Sequence, residues 1–386
     1  MRFLSFIAKN VLRRKVRSVL TGIGVAVAIA AVVALLGVSR GFEESTRQMI
    51  AGHGVDLVVI REGAGIEGTV RLDEGIAGLV AQLPEVDKVA PVLTDRLRLE
   101  HKSSMLVPIT GYPAGGFPLE QLVIQPGGKR LTATDKRGTL LGAILARNLD
   151  KKVEDTVIID DVPFHVVGIY QGSNMVENGG AVTLLPDLQQ TLGPDRKGKV
   201  TQFQVVLKAE YKGDPVALKR VQAEIKDLRD SKGAAYGIEG LTTDEYIDKS
   251  NEVRLSQAMA WMTSAIALVI GAVGMLNTMI MSVLERTQEI GILRAIGWRK
   301  IRIMRMILME SFTLSVAGAV VGTVAALVLT RLLSRLPAAN GLVEPTISPT
   351  VIGIGFMLSL LVGLVGGAYP ALRGASLAPT EALRYE

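Results

Sequence analysis

Read as a succession of apolar and polar positions, the chain contains four charge-free runs long enough to cross a bilayer, which takes ~20 mostly apolar residues. They are Val19 to Ser39, Leu255 to Leu284, Ser311 to Thr330 and Val351 to Leu372. Charges bound them: Arg17 and Arg40 flank the first, Glu310 and Arg331 the third, and Arg373 ends the fourth. The second run is longer than a span requires, so its helix tilts or its ends project. Four such runs in one chain argue against helices buried in a soluble core. The first run also exceeds the ~7–15 residues of a signal-peptide core. Val38-Ser39-Arg40-Gly41 is a poor cleavage site, so this run reads as an uncleaved anchor.

Between the first two runs the period changes. Asp56 to Ile60 reads as a strand, Leu72 to Leu83 as a helix ending before Pro84, and Val86 to Leu93 as a strand broken at Pro91. Gln202 to Lys208 alternates as strands do. Pro215 to Leu228 follows as an amphipathic helix with proline in its first turn, and Tyr236 to Leu241 returns as a strand. The order β-α-β thus occurs twice, around short β runs at Thr156 to Ile159, Phe164 to Tyr170 and Ala181 to Leu185. The fold class expected is a membrane protein with an α-helical four-span transmembrane domain plus a large α+β extracytoplasmic domain. That outer domain is two β-α-β halves with a β-rich insertion.

Composition and charge sharpen this picture. Hydrophobic residues reach 48% but aromatics only 4%, whereas the 21% of charged residues is too many for a chain lying wholly in lipid. A formal charge of +6 would suggest nucleic acid if the basic residues clustered on a folded surface. Instead Arg2, Lys9, Arg13, Arg14, Lys15 and Arg17 precede the first run without an acid. Arg286, Arg294, Arg299, Lys300, Arg302 and Arg305 lie between the second and third. The positive-inside rule places both groups in the cytoplasm. Residues 40–254 hold 27 Lys and Arg against 31 Asp and Glu and lie outside. The basic excess is an address for topology, and nucleic acid drops out as a partner.

The expected order is a cytoplasmic basic amphipathic leader (1–18), a first span (19–39), the extracytoplasmic α+β domain (40–254) and a second span (255–284). A cytoplasmic helix and loop (285–310), a third span (311–330), a short outer loop (331–350), a fourth span (351–372) and a cytoplasmic tail (373–386) complete it. Reactive chemistry is scarce along this order. The absence of cysteine excludes disulfides, thiolate metal sites and a cysteine nucleophile. His53, His101 and His165 have no partners at metal-ligand spacing. Asp160-Asp161 reads as a turn and Glu43-Glu44 as a solvated helix face. No His-Glu-x-x-His or Ser-x-x-Lys motif is present, and neither is a P-loop. No catalytic, cofactor-binding or metal-binding residue is expected in this chain.

The strongest local pattern is Glu285 to Met309. It leaves the second span, forms a short helix, turns at Gly297 and re-enters the membrane as a basic amphipathic helix. Glu285 and Glu289 are expected on one face at i, i+4, with Arg286 and Arg294 elsewhere on the surface. Ile290, Leu293 and Ile296 form an apolar stripe with little membrane depth to hide in. Two readings fit: an element that docks into a groove on another protein, or a helix resting on lipid headgroups. Docking suits Glu285 to Gly297; headgroup contact suits Arg299 to Arg305.

Glu-Arg-Thr-Gln-Glu-Ile-Gly-Ile-Leu-Arg-Ala-Ile-Gly, from Glu285, resembles the signature of MacB/FtsX-type ABC transporter permeases. The tail from Tyr369 to Glu386 and the leader from Asn10 to Thr21 are similar to that family's ends. The resemblance covers all four spans; in the outer domain it extends only to size and pattern. It implies a homodimer in the bacterial inner membrane, with both termini cytoplasmic and a cytoplasmic ATPase partner. ATP and magnesium belong to that partner, and no cofactor is implied in this chain. The resemblance leaves open a periplasmic adaptor as a further partner, whose presence would support export. The coupling-helix role falls on Glu285, Arg286, Glu289, Ile290, Gly291, Arg294, Ala295 and Gly297. MacB proper carries its nucleotide-binding domain ahead of the first span. That domain is not in this sequence, so the ATPase is expected on a separate polypeptide.

Small residues for helix packing recur at Gly22, Ala26, Ala30 and Ala34, at Gly318 and Gly322, and at Gly363 and Gly367. Asn277 is expected to hydrogen-bond between helices. Two functions follow from the resemblance: a permease that exports or extracts a substrate, or an FtsX-like signalling scaffold that activates a cell-wall hydrolase. The size of the outer domain favours the first.

Overall fold

The computed structural model describes residues 15–52, 54–63, 71–100, 106–333 and 347–377. The chain divides into two units, one of them Gly41–Leu255 and the other containing the apolar helices. In chain order the first unit contains β1 (Leu57–Arg61), β2 (Leu72–Asp73), α1 (Ile76–Val80), β3 (Val86–Arg98), β4 (Leu106–Tyr112), β5 (Val123–Ile124) and β6 (Gly138–Gly142). It continues through β7 (Thr156–Ile159), β8 (Val162–Gln171), β9 (Ala181–Leu184), β10 (Lys199–Val200), β11 (Gln202–Leu207), α2 (Pro215–Lys226) and β12 (Ile238–Leu241).

The two β-α-β halves interlock rather than sit side by side. The strand order is β12-β1-β11-β3, every neighbour antiparallel, so each half lends one strand to the middle of the other. This is the split β-α-β arrangement. It explains why β1 is apolar at consecutive positions instead of alternating. Leu57 and Val59 face a core shared with Ile76, Val80, Val221 and Ile225 of the two helices. Val58 and Ile60 face the other side, among Ile50, Phe117 and Tyr246. With both faces covered, every β1 position but Arg61 is buried.

Three expectations change. The helix expected from Leu72 is confined to Ile76–Val80, because Leu72 and Asp73 pair with Val200 and Lys199 as a two-stranded sheet. The strand from Val86 does not break at Pro91 but runs thirteen residues to Arg98. Pro91 sits opposite Phe203, and pairing with β4 begins only at Leu93, so no hydrogen bond on that side is lost to the proline. The insertion is larger than its three apolar runs suggested: β4-β9-β6-β8-β5 extend the same sheet from β3, with β7 on β8. Asp160 and Asp161 close the β7–β8 hairpin with φ of 46° and 66°, the two positive angles of a tight hairpin turn.

Among the described residues, four helices are long and apolar enough to cross a membrane. They span Lys15–Gly52, Asn251–Leu284, Lys300–Leu333 and Pro349–Ser376, and each overruns its charge-free stretch. The fourth starts cleanly: Ser348 Oγ accepts from the Val351 N–H, and Pro349 follows at a position where a missing N–H costs nothing. Glycines set the closest approaches. A Cβ on Gly322 would stand 2.5 Å from the Ala26 carbonyl oxygen and 3.1 Å from the Ala30 nitrogen. Gly318 meets Val25, while Gly363 and Gly367 seat Ser315 and Ser311 of the third long helix. Ser359 Oγ donates to the Ser315 carbonyl at 2.8 Å. Two expected packing residues make no close approach within this single chain. Gly22 has no atom within 4 Å of its would-be Cβ. Asn277 is on the exposed face of its helix and, among the described residues, takes no hydrogen-bond partner.

Candidate functional site: the inner helix

The second long helix ends at Leu284, and Glu285 and Arg286 form a turn before the inner helix Thr287–Ala295. Arg286 has φ −113° and ψ 18°, outside helical values. Glu285 and Glu289 therefore do not share one continuous helix. The far end is a terminator that requires glycine. Gly297 has φ +99°, its N–H donates to the Arg294 carbonyl at 3.0 Å, and the Trp298 N–H donates to the Leu293 carbonyl at 3.0 Å. That pair of bonds satisfies two end carbonyls of the helix and needs a residue without a Cβ at the left-handed position. Leu293 and Trp298 each pack against the apolar core. Arg294 Nη1 donates to the Trp298 carbonyl at 3.2 Å, and the Arg302 guanidinium lies 4.3 Å from the Trp298 ring centre. The third long helix starts two residues later.

The apolar stripe read from the sequence is divided between inside and outside. Ile290 is 2% exposed and Gly291 is buried, both against the chain's own core beside Ile303, Met306 and Ile307. Leu293 is half-buried, whereas Ile296 is 74% exposed and Ile292 48%. At 3.6 residues per turn, positions six apart point about 120° away from each other, so Ile290 and Ile296 do not share one face. The outward surface thus consists of Ile292, Ala295 and Ile296, with Glu285, Gln288 and Glu289 beside them. Ile292 carried no signal in the period, because the stripe was counted from Ile290.

Arg286 is the larger correction. Expected on the surface, it is 7% exposed. Its Nε donates to Glu289 Oε2 at 3.2 Å and its Nη1 to Glu310 Oε2 at 3.1 Å. Glu310, on the third long helix, is itself 8% exposed. Sequence reading passed over Glu310 by treating it as the boundary of a span. The signal available was an acid at the edge of a charge-free run, a short distance in sequence from an arginine in a turn.

The outer unit holds no comparable cluster among the described residues, and no group of three or more His, Asp or Glu there stands ready for a metal. His165 lies on β8 with its Nε2 3.0 Å from Glu154 Oε2; His53 and His101 lie outside the described residues. Glu43 and Glu44 pair with Arg47, each at 3.8 Å, on the first long helix.

Comparison with known proteins agrees with this division. A family model described as the MacB-like periplasmic core domain matches residues 18–228, and one described as the FtsX-like permease C-terminal matches residues 261–379. The macrolide export ATP-binding/permease protein MacB of Bdellovibrio bacteriovorus is 26% identical over 96% of this chain and 60% of its own length. The pyoverdine export ATP-binding/permease protein PvdT of Pseudomonas putida is 28% identical over 96% of this chain and 57% of its own. An ABC transporter permease of Methanocaldococcus jannaschii, uncharacterised, is 27% identical over 99% of this chain and 98% of its own. The chain thus spans about three-fifths of the ATP-binding/permease relatives. The crystal structure of the periplasmic region of MacB from Actinobacillus actinomycetemcomitans is 19% identical with a TM-score of 0.39, covering 50% of this chain and 92% of that one.

Proposed function

The chain belongs to the MacB/FtsX-type family of ABC transporter permeases, and from that premise we propose that its inner helix docks an ATPase carried on a separate polypeptide. ATP hydrolysis there drives a conformational change of the outer unit, and the work done is export or extraction of a substrate. The observation that carries this reading is the outward surface of the inner helix. Ile292 and Ile296 stand exposed one helical turn apart, beside Glu289, on an element whose opposite side is fixed in the core. An apolar pair with a flanking acid suits a groove with a basic rim. One fact supports a separate ATPase: an ABC transporter permease relative is matched over 98% of its own length by this chain. Relatives named for macrolide and pyoverdine export support export over signalling. The orientation proposed is both termini and the inner helix in the cytoplasm, in the cell's inner membrane. ATP and magnesium are bound by the partner, and the permease acts as a dimer.

The test is co-purification of the ATPase with Glu289→Lys and with Ile296→Glu, against Arg302→Glu, at matched membrane expression. A partly desolvated charge contact is worth ~2–5 kcal/mol when disrupted, so Glu289→Lys is expected to lose most of the ATPase. Arg302→Glu, whose residue lies over Trp298, is expected to keep it. Full retention by both inner-helix variants would rule this docking surface out.

A further inference from the structure

The inner helix is nine residues long, preceded by a two-residue turn and followed by a glycine terminator. Two kinds of contact hold it: the apolar burial of Ile290, which has no preferred rotation, and the directional fork of Arg286. A planar guanidinium bonded at two nitrogens restricts both distance and angle. One arm reaches Glu310 at 3.1 Å in the interior and the other reaches Glu289 at 3.2 Å at the surface. Burying an ion pair is a poor way to gain stability, because apolar residues of the same volume do as well or better. Its presence at the turn therefore points to placement. We infer that Arg286, held by Glu310, is the positioning residue of the inner helix, setting its rotation against the third long helix so that Glu289, Ile292 and Ile296 face outward together. The consequence for the ATPase rests on the docking reading above; the positioning itself rests on the ion pair alone. Glu310 then governs partner binding from a buried site that no partner touches.

The chain has no cysteine, so nitroxide labels on Gln288→Cys and Arg305→Cys, both exposed, report the distance from inner helix to third helix without background. The measurement uses the full chain in lipid nanodiscs without the ATPase. Four forms are compared: unsubstituted, Glu289→Gln, Glu310→Gln, and the double variant Arg286→Met/Glu310→Met. The first two are expected to give one narrow distance distribution, because the Arg286–Glu310 arm survives. Glu310→Gln and the double variant are expected to broaden it at least twofold. The double variant leaves no orphaned charge and is expected to express as the unsubstituted chain does, which separates loss of positioning from loss of folding. In the same membranes, ATPase co-purification is expected to fall at least tenfold for both. A narrow distribution in the well-expressed double variant would overturn the inference. A broadened one with the ATPase fully retained would uphold the positioning and overturn the docking reading instead.

Discussion

At Asp135 three donors converge on one carboxylate. The Thr132 hydroxyl donates at 2.6 Å, the Thr132 N–H at 2.9 Å, and Lys129 Nζ stands 3.2 Å away. The Thr132 hydroxyl, then the Thr132 N–H and Lys129, hold this carboxyl below the usual carboxylate range against an opposing effect of burial. Asp73 is lowered in the same way by the Gly75 N–H and Lys199. A carboxyl whose folded pKa lies below its unfolded value of ~3.9 contributes stability above that value and loses it as pH falls through the folded one. Asp135→Asn is therefore expected to destabilise the outer unit by ~1–2 kcal/mol at pH 7 and by much less near pH 2. Thermal melts followed by circular dichroism at the two pH values check this. An equal loss at both would mean that shape, not charge, matters at this turn. Arg286 shows the limit of sequence reading at this scale: an arginine beside a glutamate looks like surface, and only the approach of Glu310 from another helix makes it interior.

Elements were read well where length or period was long and poorly where partners decided. All four long helices were legible because twenty uncharged residues have few alternatives, although their polar ends were not. β1, β11 and α2 were legible within two residues. β2 was not, since two residues become a strand only when Lys199 and Val200 arrive to pair with them. Small-residue stripes were half legible, because the spacing gives a face but not what lies opposite. Gly22 and Gly322 separate the two cases. Gly322→Ala places a Cβ against the Ala26 carbonyl oxygen, a backbone atom that cannot rotate aside. It is expected to cost ~1–3 kcal/mol by overpacking, whereas Gly22→Ala meets open space and is expected to be neutral or slightly stabilising through helix propensity. Melting temperatures of the two variants in one detergent compare them. Equal values would show that the first and third long helices do not approach as closely as described.

On the scale of the whole molecule, the surface proposed to dock the ATPase lies outside the larger unit. The outer sheet is packed on both faces at β1, but among the described residues of that unit no group of His, Asp and Glu is placed to hold a metal. The inner helix, by contrast, brings a buried arginine paired with Glu310 of the third long helix, a glycine-dependent terminator and an exposed apolar pair together between residues 285 and 297. Those residues are where the proposed ATPase contact is placed. The chain's lack of native cysteine allows one direct measurement: a benzophenone attached at Ile296→Cys, irradiated in intact membranes, with adducts identified by mass spectrometry. The expected result is an adduct to a polypeptide bearing a P-loop, reduced severalfold by Glu289→Lys and absent when the probe is moved to Val269 on the exposed face of the second long helix. Adducts from Ile296→Cys to lipid alone, with the ATPase present in the same membranes, would contradict docking through the inner helix.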